Sequence, residues 1–529
     1  MNQNIKYILY TVFIFATFTG CQKKSETSKP EESKLEPKAG TYTQTTDIPE
    51  GILTPDVVET SIGTLDFFDG APSQKTVQLV YDNLDRSRGV DAFLKGIQGA
   101  SIKAMIDGPK KIGANLKFND ILIWSQLLDS KQIFLTGNTS TLYVNPVLDL
   151  KQHGPMVVEA PPGLLGGFDN AWFEYISDIG VFGPDKGKGG KFLVLPPGYK
   201  GDIPSGYFVV NSTTYIVWCF MRVSIAEGLE KAANLAKEKV KVYPLSMADN
   251  IPEMNFVDGS NKSFNGDATN DYSFFEVINE VIQYEPLEML NPETRGLFAS
   301  IGIEKGKPFA PDDRMKKILT DAVAIGNATA RANVWYPRTS GTAGTMKGIQ
   351  IYPETNSAWV MAFLDKNVFF NGKDGQTMNT DARAFYYYCY TVVTPAMAVT
   401  IPGKGSDYAM AYLDADKKPM DGSKTYKVHL PPNVPVDNFW AFTIYDNQTR
   451  SMLQTDQKFP TVGSQTEGFK KNADGSMDVY FAPKAPEGFE GNWLQTIPGK
   501  SWFTILRMYG PLEPWLDKSW RPSEVELVK

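Results

Sequence analysis

The chain has 529 residues, 42% hydrophobic and 21% charged, a globular composition with room for roughly two to four domains. Its 53 basic and 60 acidic groups leave a formal charge of −7, and no long Lys/Arg run offsets it, which argues against nucleic acid as a partner. Aromatic residues make up 12%, and most of those rings are expected in cores.

The first residues, MNQNIKYILYTVFIFATFTGC, hold one lysine and an apolar run from Tyr7 to Phe18. The run is shorter than the roughly 20 residues that span a bilayer, so 1–21 reads as a secretory signal peptide. Its end, Phe18-Thr19-Gly20-Cys21, resembles the bacterial lipobox, with Phe18 in place of the usual Leu. The resemblance implies lipidation at Cys21 and a membrane-anchored lipoprotein of the bacterial cell envelope, facing periplasm or exterior, with the lipid bilayer as a partner. Residues 22–45 are charged, rich in Ser and Pro and nearly free of apolar side chains, so they read as a disordered tether. Cys219 and Cys389, in IVWCF and YYYCY, are expected as buried free thiols in strands, and there is no CxxC.

Residues 46–128 form a helical N-terminal region. Val77, Val80, Tyr81, Leu84, Val90, Phe93, Leu94 and Ile97 recur at helical spacing. Gly89, Gly96 and Gly99 each cost about 1 kcal/mol relative to Ala inside a helix, so two or three helices are predicted, broken near Asp107-Gly108-Pro109. Residues 129–246 hold short strands at sandwich spacing, expected antiparallel, with one helix over 226–240. Residues 247–345 turn helical again: SFFEVINEVIQYEP, then RMKKILTDAVAIGNATARANVW with Met315, Ile318, Leu319, Ala322 and Ile325 on one side. From 346 to 529 the pattern is strand-like, including AFYYYCYTVVT, in which Tyr386 and Tyr388 are expected on one sheet face. That is a C-terminal domain of jelly-roll type.

One stretch looks like a ligand motif: GPDKGKGGKFLVLPPGYKG, 183–201. Lys188 precedes Gly189 and Lys191 precedes Phe192, so the hydroxyl that a P-loop aims at its metal is missing. The glycines do not give GxGxxG before a helix either. Two readings stay open: a glycine turn at a strand edge, or a loop lining a ligand groove with Asp185, Lys186 and Lys188 facing it. His153 and His429 are the only histidines; there is no HExxH and no GxSxG, so no metal, no serine triad and no cofactor is assigned. Carboxylates cluster as Asp169, Asp178 and Asp185, and as Asp446 and Asp456. Asp446 and Arg450, in IYDNQTR, either bracket a polar ligand or tie a loop. NADGSMD, 472–478, reads as a hairpin turn at Asp474-Gly475 rather than a calcium loop. Trp493, Trp502, Trp515 and Trp520 either seal a sandwich edge or stack on sugars.

Longer segments carry a resemblance. NTSTLYVNPVLDL (138–150), GPDKGKGGKFLVLPPGYKG (183–201) and TTYIVWCFMR (213–222) resemble the domain-of-unknown-function family 1254. LPPNVPVDNFWAFTIYDNQTRSML (430–453), NADGSMDVYF (472–481) and GNWLQTIPGKSWFTILRMYGPLEPWLDKSWRP (491–522) resemble family 1214, which usually follows it. The resemblance implies a mainly β protein with helical insertions: a small helical domain, an immunoglobulin-like β-sandwich and a C-terminal jelly-roll β-sandwich. It implies no established reaction. Ser140 stands where relatives typically carry Asp, so a catalytic carboxylate at that position would be missing here. Tyr143 and Arg222, within the matching segments, complete the candidate ligand residues. Three functions fit: an envelope binding protein holding a small molecule or glycan in an inter-domain cleft, a carboxylate-dependent glycan hydrolase, or a scaffold protein. A homo-oligomer is compatible with each.

Overall fold

In the computed structural model, residues 45–341, 344–372, 374–399 and 401–529 are described. The signal peptide, Cys21 and all but the last residue of the tether lie outside them. Strand Ile216–Val223 shows how the first sandwich is built. Val217, Cys219 and Met221 point into one core, together with Leu142, Val144 and Leu148 of the neighbouring strand Leu142–Asp149. The intervening Tyr143, Trp218 and Phe220 point to the opposite face and join a second core with the helices. A strand buried on both faces is apolar throughout, which is why IVWCFMRV does not alternate.

The sheet containing these strands has the order Asn255–Asp258, Asp120–Ile123, Leu142–Asp149, Ile216–Val223, Leu165–Asn170, Tyr175–Ile179. Met156, Val158, Phe192, Val194 and Val242 close its inner face from a second sheet, ordered Phe208–Asn211, Gly190–Leu195, Met156–Ala160, Lys241–Pro244. The sandwich is not wholly antiparallel. Phe208–Asn211 runs parallel to Gly190–Leu195, and Asn255–Asp258 parallel to Asp120–Ile123. Both edge strands are reached by long excursions rather than hairpins, the connection that parallel pairing requires.

The second sandwich pairs a sheet ordered Trp359–Val360, Ser406–Ala411, Ser501–Pro511, Val436–Asp446, Thr461–Gly463 with one ordered Trp493–Gln495, Met477–Ala482, Tyr426–Leu430, Glu526–Leu527. Trp502 stacks on Phe481 at 4.8 Å in its core, and Trp515 and Trp520 are buried beside it, so these rings serve packing. The alternate residues of Ser501–Pro511 face the other way: Phe503 meets Trp335, and Arg507 reaches the Thr136 carbonyl across the molecule. Asn472–Ser476 is a turn, with Gly475 at φ 83°, but it leads into Met477–Ala482 from irregular chain, so it joins no strand pair.

Between the sandwiches lie helices Gln74–Asp107, Ser273–Tyr284, Pro292–Ser300, Asp313–Trp335 and Thr380–Cys389. Two expectations are corrected here. The first helix is continuous through all three glycines, capped by Ser73 and ended at Gly108-Pro109. An alanine Cβ would stand 2.7 Å from Ala322 at Gly89 and 2.6 Å from Trp172 at Gly99, so close packing offsets the propensity cost of the glycines. The second correction concerns AFYYYCY, which is helix and not strand. Asn379 caps it, and Phe385, Tyr386, Tyr387, Tyr388 and Cys389 are all buried, as in a central helix that is apolar all round. Tyr386 and Tyr388 therefore share no sheet face, and Cys389 is a buried free thiol at a helix end, while Cys219 is one in a strand. In Asp313–Trp335, Ile325 faces solvent and Gly326 packs on Phe93 instead. A small sheet, Val57–Thr60, Gly63–Phe68 and Ala71–Pro72, precedes the first helix, inside the region read as helical. Among the described residues no helix is long and apolar enough to cross a membrane.

Candidate functional site

The glycine-lysine loop is a turn closed by its own acid. The buried Asp185 accepts hydrogen bonds from the Gly180 and Gly189 backbone N–H groups at 2.8 and 3.1 Å, so these donors are not free for an anion. Lys186 and Lys188 are exposed, and the strand Gly190–Leu195 begins at once. The Asp446 and Arg450 side chains turn to separate partners. Asp446 pairs with Lys500, while Arg450, at φ 54°, turns inward over the Tyr388 ring and pairs with Asp267 at 2.9 Å. Ser140 is nearly buried in a turn capped by the Asn138 side chain.

Tyr143 and Arg222 do come together, directly opposite each other across two strands. With Arg507, Tyr408, Tyr390 and Thr136 they line a chamber of about 20 Å³ between the two sandwiches. Arg507 donates to the Thr136 carbonyl and the Tyr445 hydroxyl, both at 2.7 Å. Tyr408 exchanges a hydrogen bond with Ser406 at 2.6 Å. Burial pushes the Tyr408 phenol up, but the Arg222 and Arg507 guanidiniums outweigh it and hold the group below the ordinary tyrosine value.

A larger opening lies where the first sandwich, the first helix and the C-terminal half meet. This cleft has a volume of about 390 Å³, within the range of small-molecule sites. Tyr175, Phe369, Phe370 and Tyr387 supply its rings; Gln98, Asn170, Asn211 and Asn371 supply amides; Glu174 and Arg383 supply charge. Tyr175 and Phe369 meet edge to face at 6.1 Å, and Phe369 remains 51% exposed. Asn170 holds Glu174 by a 2.9 Å hydrogen bond and Thr213 by one of 3.0 Å. Gln98 is buried, yet its Oε1 has no partner in the protein. Phe370 at the wall has φ of 56°, a region that bulky residues avoid and that recurs at ligand sites.

Behind the cleft, Asp169 and Asp178 stand on adjacent strands, as the carboxylate cluster suggested. They fasten the segment after helix Thr380–Cys389: Asp169 accepts from the Val393 N–H at 3.2 Å and Asp178 from the Thr394 hydroxyl at 2.6 Å. Burial pushes Asp169 well above the usual carboxylate range and Asp178 up to about 7, with the charge of Asp185 adding to the latter. A larger hollow, about 540 Å³, lies between the first helix and Ser273–Tyr284. Its charged groups are occupied: Lys103 by Asp107 and Glu280, and both Glu285 oxygens by the N–H groups of Tyr215 and Ile216.

Glu174, Arg383, Phe369 and Gln98 escaped the sequence reading. They come from separate segments with no common motif, and only DNAWFEY, where polar residues interrupt a strand pattern, offers a signal.

Residues 118–244 match the family described as Protein of unknown function (DUF1254), and residues 405–513 match Protein of unknown function (DUF1214), in the order expected. No curated protein matches the chain. The crystal structure of the VPA0106 protein from Vibrio parahaemolyticus is similar at TM-score 0.50 and 18% identity, covering 84% of this chain and 100% of that one. An uncharacterized protein from Burkholderia cenocepacia aligns at TM-score 0.38 and 12% identity, over 85% of this chain and 96% of that one. The first likeness supports the fold and nothing more.

Proposed function

We propose that this protein is an envelope-anchored binding protein that takes a short saccharide, or a similarly polyhydroxylated small molecule, in the cleft between Tyr175, Phe369 and Arg383. The observation that carries the reading is the lining itself: four aromatic rings interleaved with four amides and one Arg and one Glu, at a domain junction. Rings offer flat apolar faces to the C–H side of a sugar, and amides donate and accept at once, as sugar hydroxyls require. Binding is favoured over hydrolysis because two-carboxylate glycoside chemistry needs a pair about 5–9 Å apart facing the substrate. Among the described residues Glu174 is the one carboxylate lining this cleft, and Asp169 is buried. The anchor of this reading is a lipid on Cys21 after removal of a signal peptide, with residues 22–45 as tether.

Titration calorimetry with a panel of neutral and acidic oligosaccharides tests the binding. At least one should bind, and Phe369→Ala should weaken it by about tenfold or more. Equal affinity in the variant would dismiss the cleft. Alkyne-palmitate labelling tests the anchor: Cys21→Ser should lose both label and membrane fraction.

A further inference from the structure

The chamber between the sandwiches concentrates positive charge that no carboxylate answers. Arg222 and Arg507 both line it. Arginines that form ion pairs among the described residues are Arg314, Arg338, Arg450 and Arg521; neither chamber arginine is among them. Arg507 is 4% exposed, and its Nε has no hydrogen-bond partner. The electrostatic neighbours of both guanidiniums are tyrosines: Tyr143, Tyr408 and Tyr509, with Tyr445 beside Arg507. The Tyr509 hydroxyl is likewise buried and unpartnered. Ala362, Met397, Met410 and Ile505 make the rest of the wall apolar. Two like charges in so dry a place repel each other and lack hydration, a state that a buried counter-charge relieves.

We propose that the chamber binds one small monovalent anion, a halide or an ion of similar size, between Arg222 and Arg507. Its volume of about 20 Å³ admits a single occupant about as large as a water molecule. The donors suit such an ion: guanidinium N–H groups and phenol O–H groups surround it, and no carboxylate competes. Arg222 belongs to the first sandwich and Arg507 to the second, so the ion bridges the two. The Tyr408 phenol, held below the ordinary tyrosine value by both guanidiniums, reports the same positive field.

Thermal melting of the purified full-length chain tests this at fixed ionic strength, with chloride replacing methanesulfonate, which is too large for the chamber. The melting temperature should rise with chloride and saturate. Crystals grown in bromide should show one anomalous peak between the two guanidiniums, and absorbance near 295 nm should show no tyrosinate at pH 7.5. Arg222→Met should fold and lose the chloride response. Equal melting in both salts, absence of the bromide peak, a tyrosinate band in chloride, or an Arg222→Met variant that still responds to chloride would each overturn the proposal. Should that variant fail to fold, the salt comparison and the bromide peak decide alone.

Discussion

Replacing Asp178 with Asn should remove one group's pH dependence from the stability, so that the order of stability of the two chains reverses between acid and alkaline pH. Asp178 is 1% exposed; Oδ1 accepts the Thr394 hydroxyl and Oδ2 has no partner. Burial moves its carboxyl from 3.8 to about 7, with the Thr394 bond opposing and Asp185 adding. The folded state therefore keeps a proton that the unfolded chain releases between those values. The stability this group permits is fully present below about pH 4, falls as pH rises toward 7, and is level above. At about 1.4 kcal/mol per unit, the loss is about 4–5 kcal/mol. Asn cannot ionise, so the variant escapes that loss, but it carries a further unpaired N–H that costs about 1–3 kcal/mol. Wild type should be the more stable at pH 4.5, and Asp178→Asn the more stable at pH 8. Denaturant unfolding of both chains across that range measures the difference. A difference that does not change with pH would refute the reasoning, because it would mean that Asp178 ionises in the folded protein as it does in water.

Gly99→Ala should destabilise by about 1–3 kcal/mol, since its Cβ would meet Trp172 at 2.6 Å, whereas Gly296→Ala, with nothing within 4 Å, should be neutral or stabilise by up to about 1 kcal/mol; thermal melting separates them. Arg450→Met removes the buried partner of the partly buried Asp267 and should cost about 3–5 kcal/mol by denaturant unfolding. Gly189→Ala, at φ 69° and with its Cβ 2.5 Å from the Ala160 carbonyl, should cost about 1 kcal/mol or more. Lys186→Ser with Lys188→Ser should stay within about 0.5 kcal/mol in the same assay.

Periodicity marked helix Asp313–Trp335, though not the side on which Ile325 lies, while the central sandwich strands showed as unbroken apolar runs, since both their faces are buried. It failed at AFYYYCY, where β-favouring residues form a helix buried all round and leave no polar face to mark the period. It also failed at Gly89, Gly96 and Gly99, since a glycine that lets a neighbour approach looks like one that breaks a helix. Tyr143 and Arg222 were legible because they lie in long recognisable segments, and strand pairing sets them side by side. The cleft was not legible. Gln98, Glu174, Phe369 and Arg383 meet only through tertiary packing, and no local spacing encodes that meeting.

The most direct measurement is a crystal structure of the chain soaked with the saccharide that binds it best in solution. The ligand should lie in the cleft, with a ring against Tyr175 or Phe369 and hydroxyls on Gln98, Asn170 or Arg383. Density in the hollow beside Lys103 and Tyr284 instead, or an empty cleft at saturating ligand, would contradict the account.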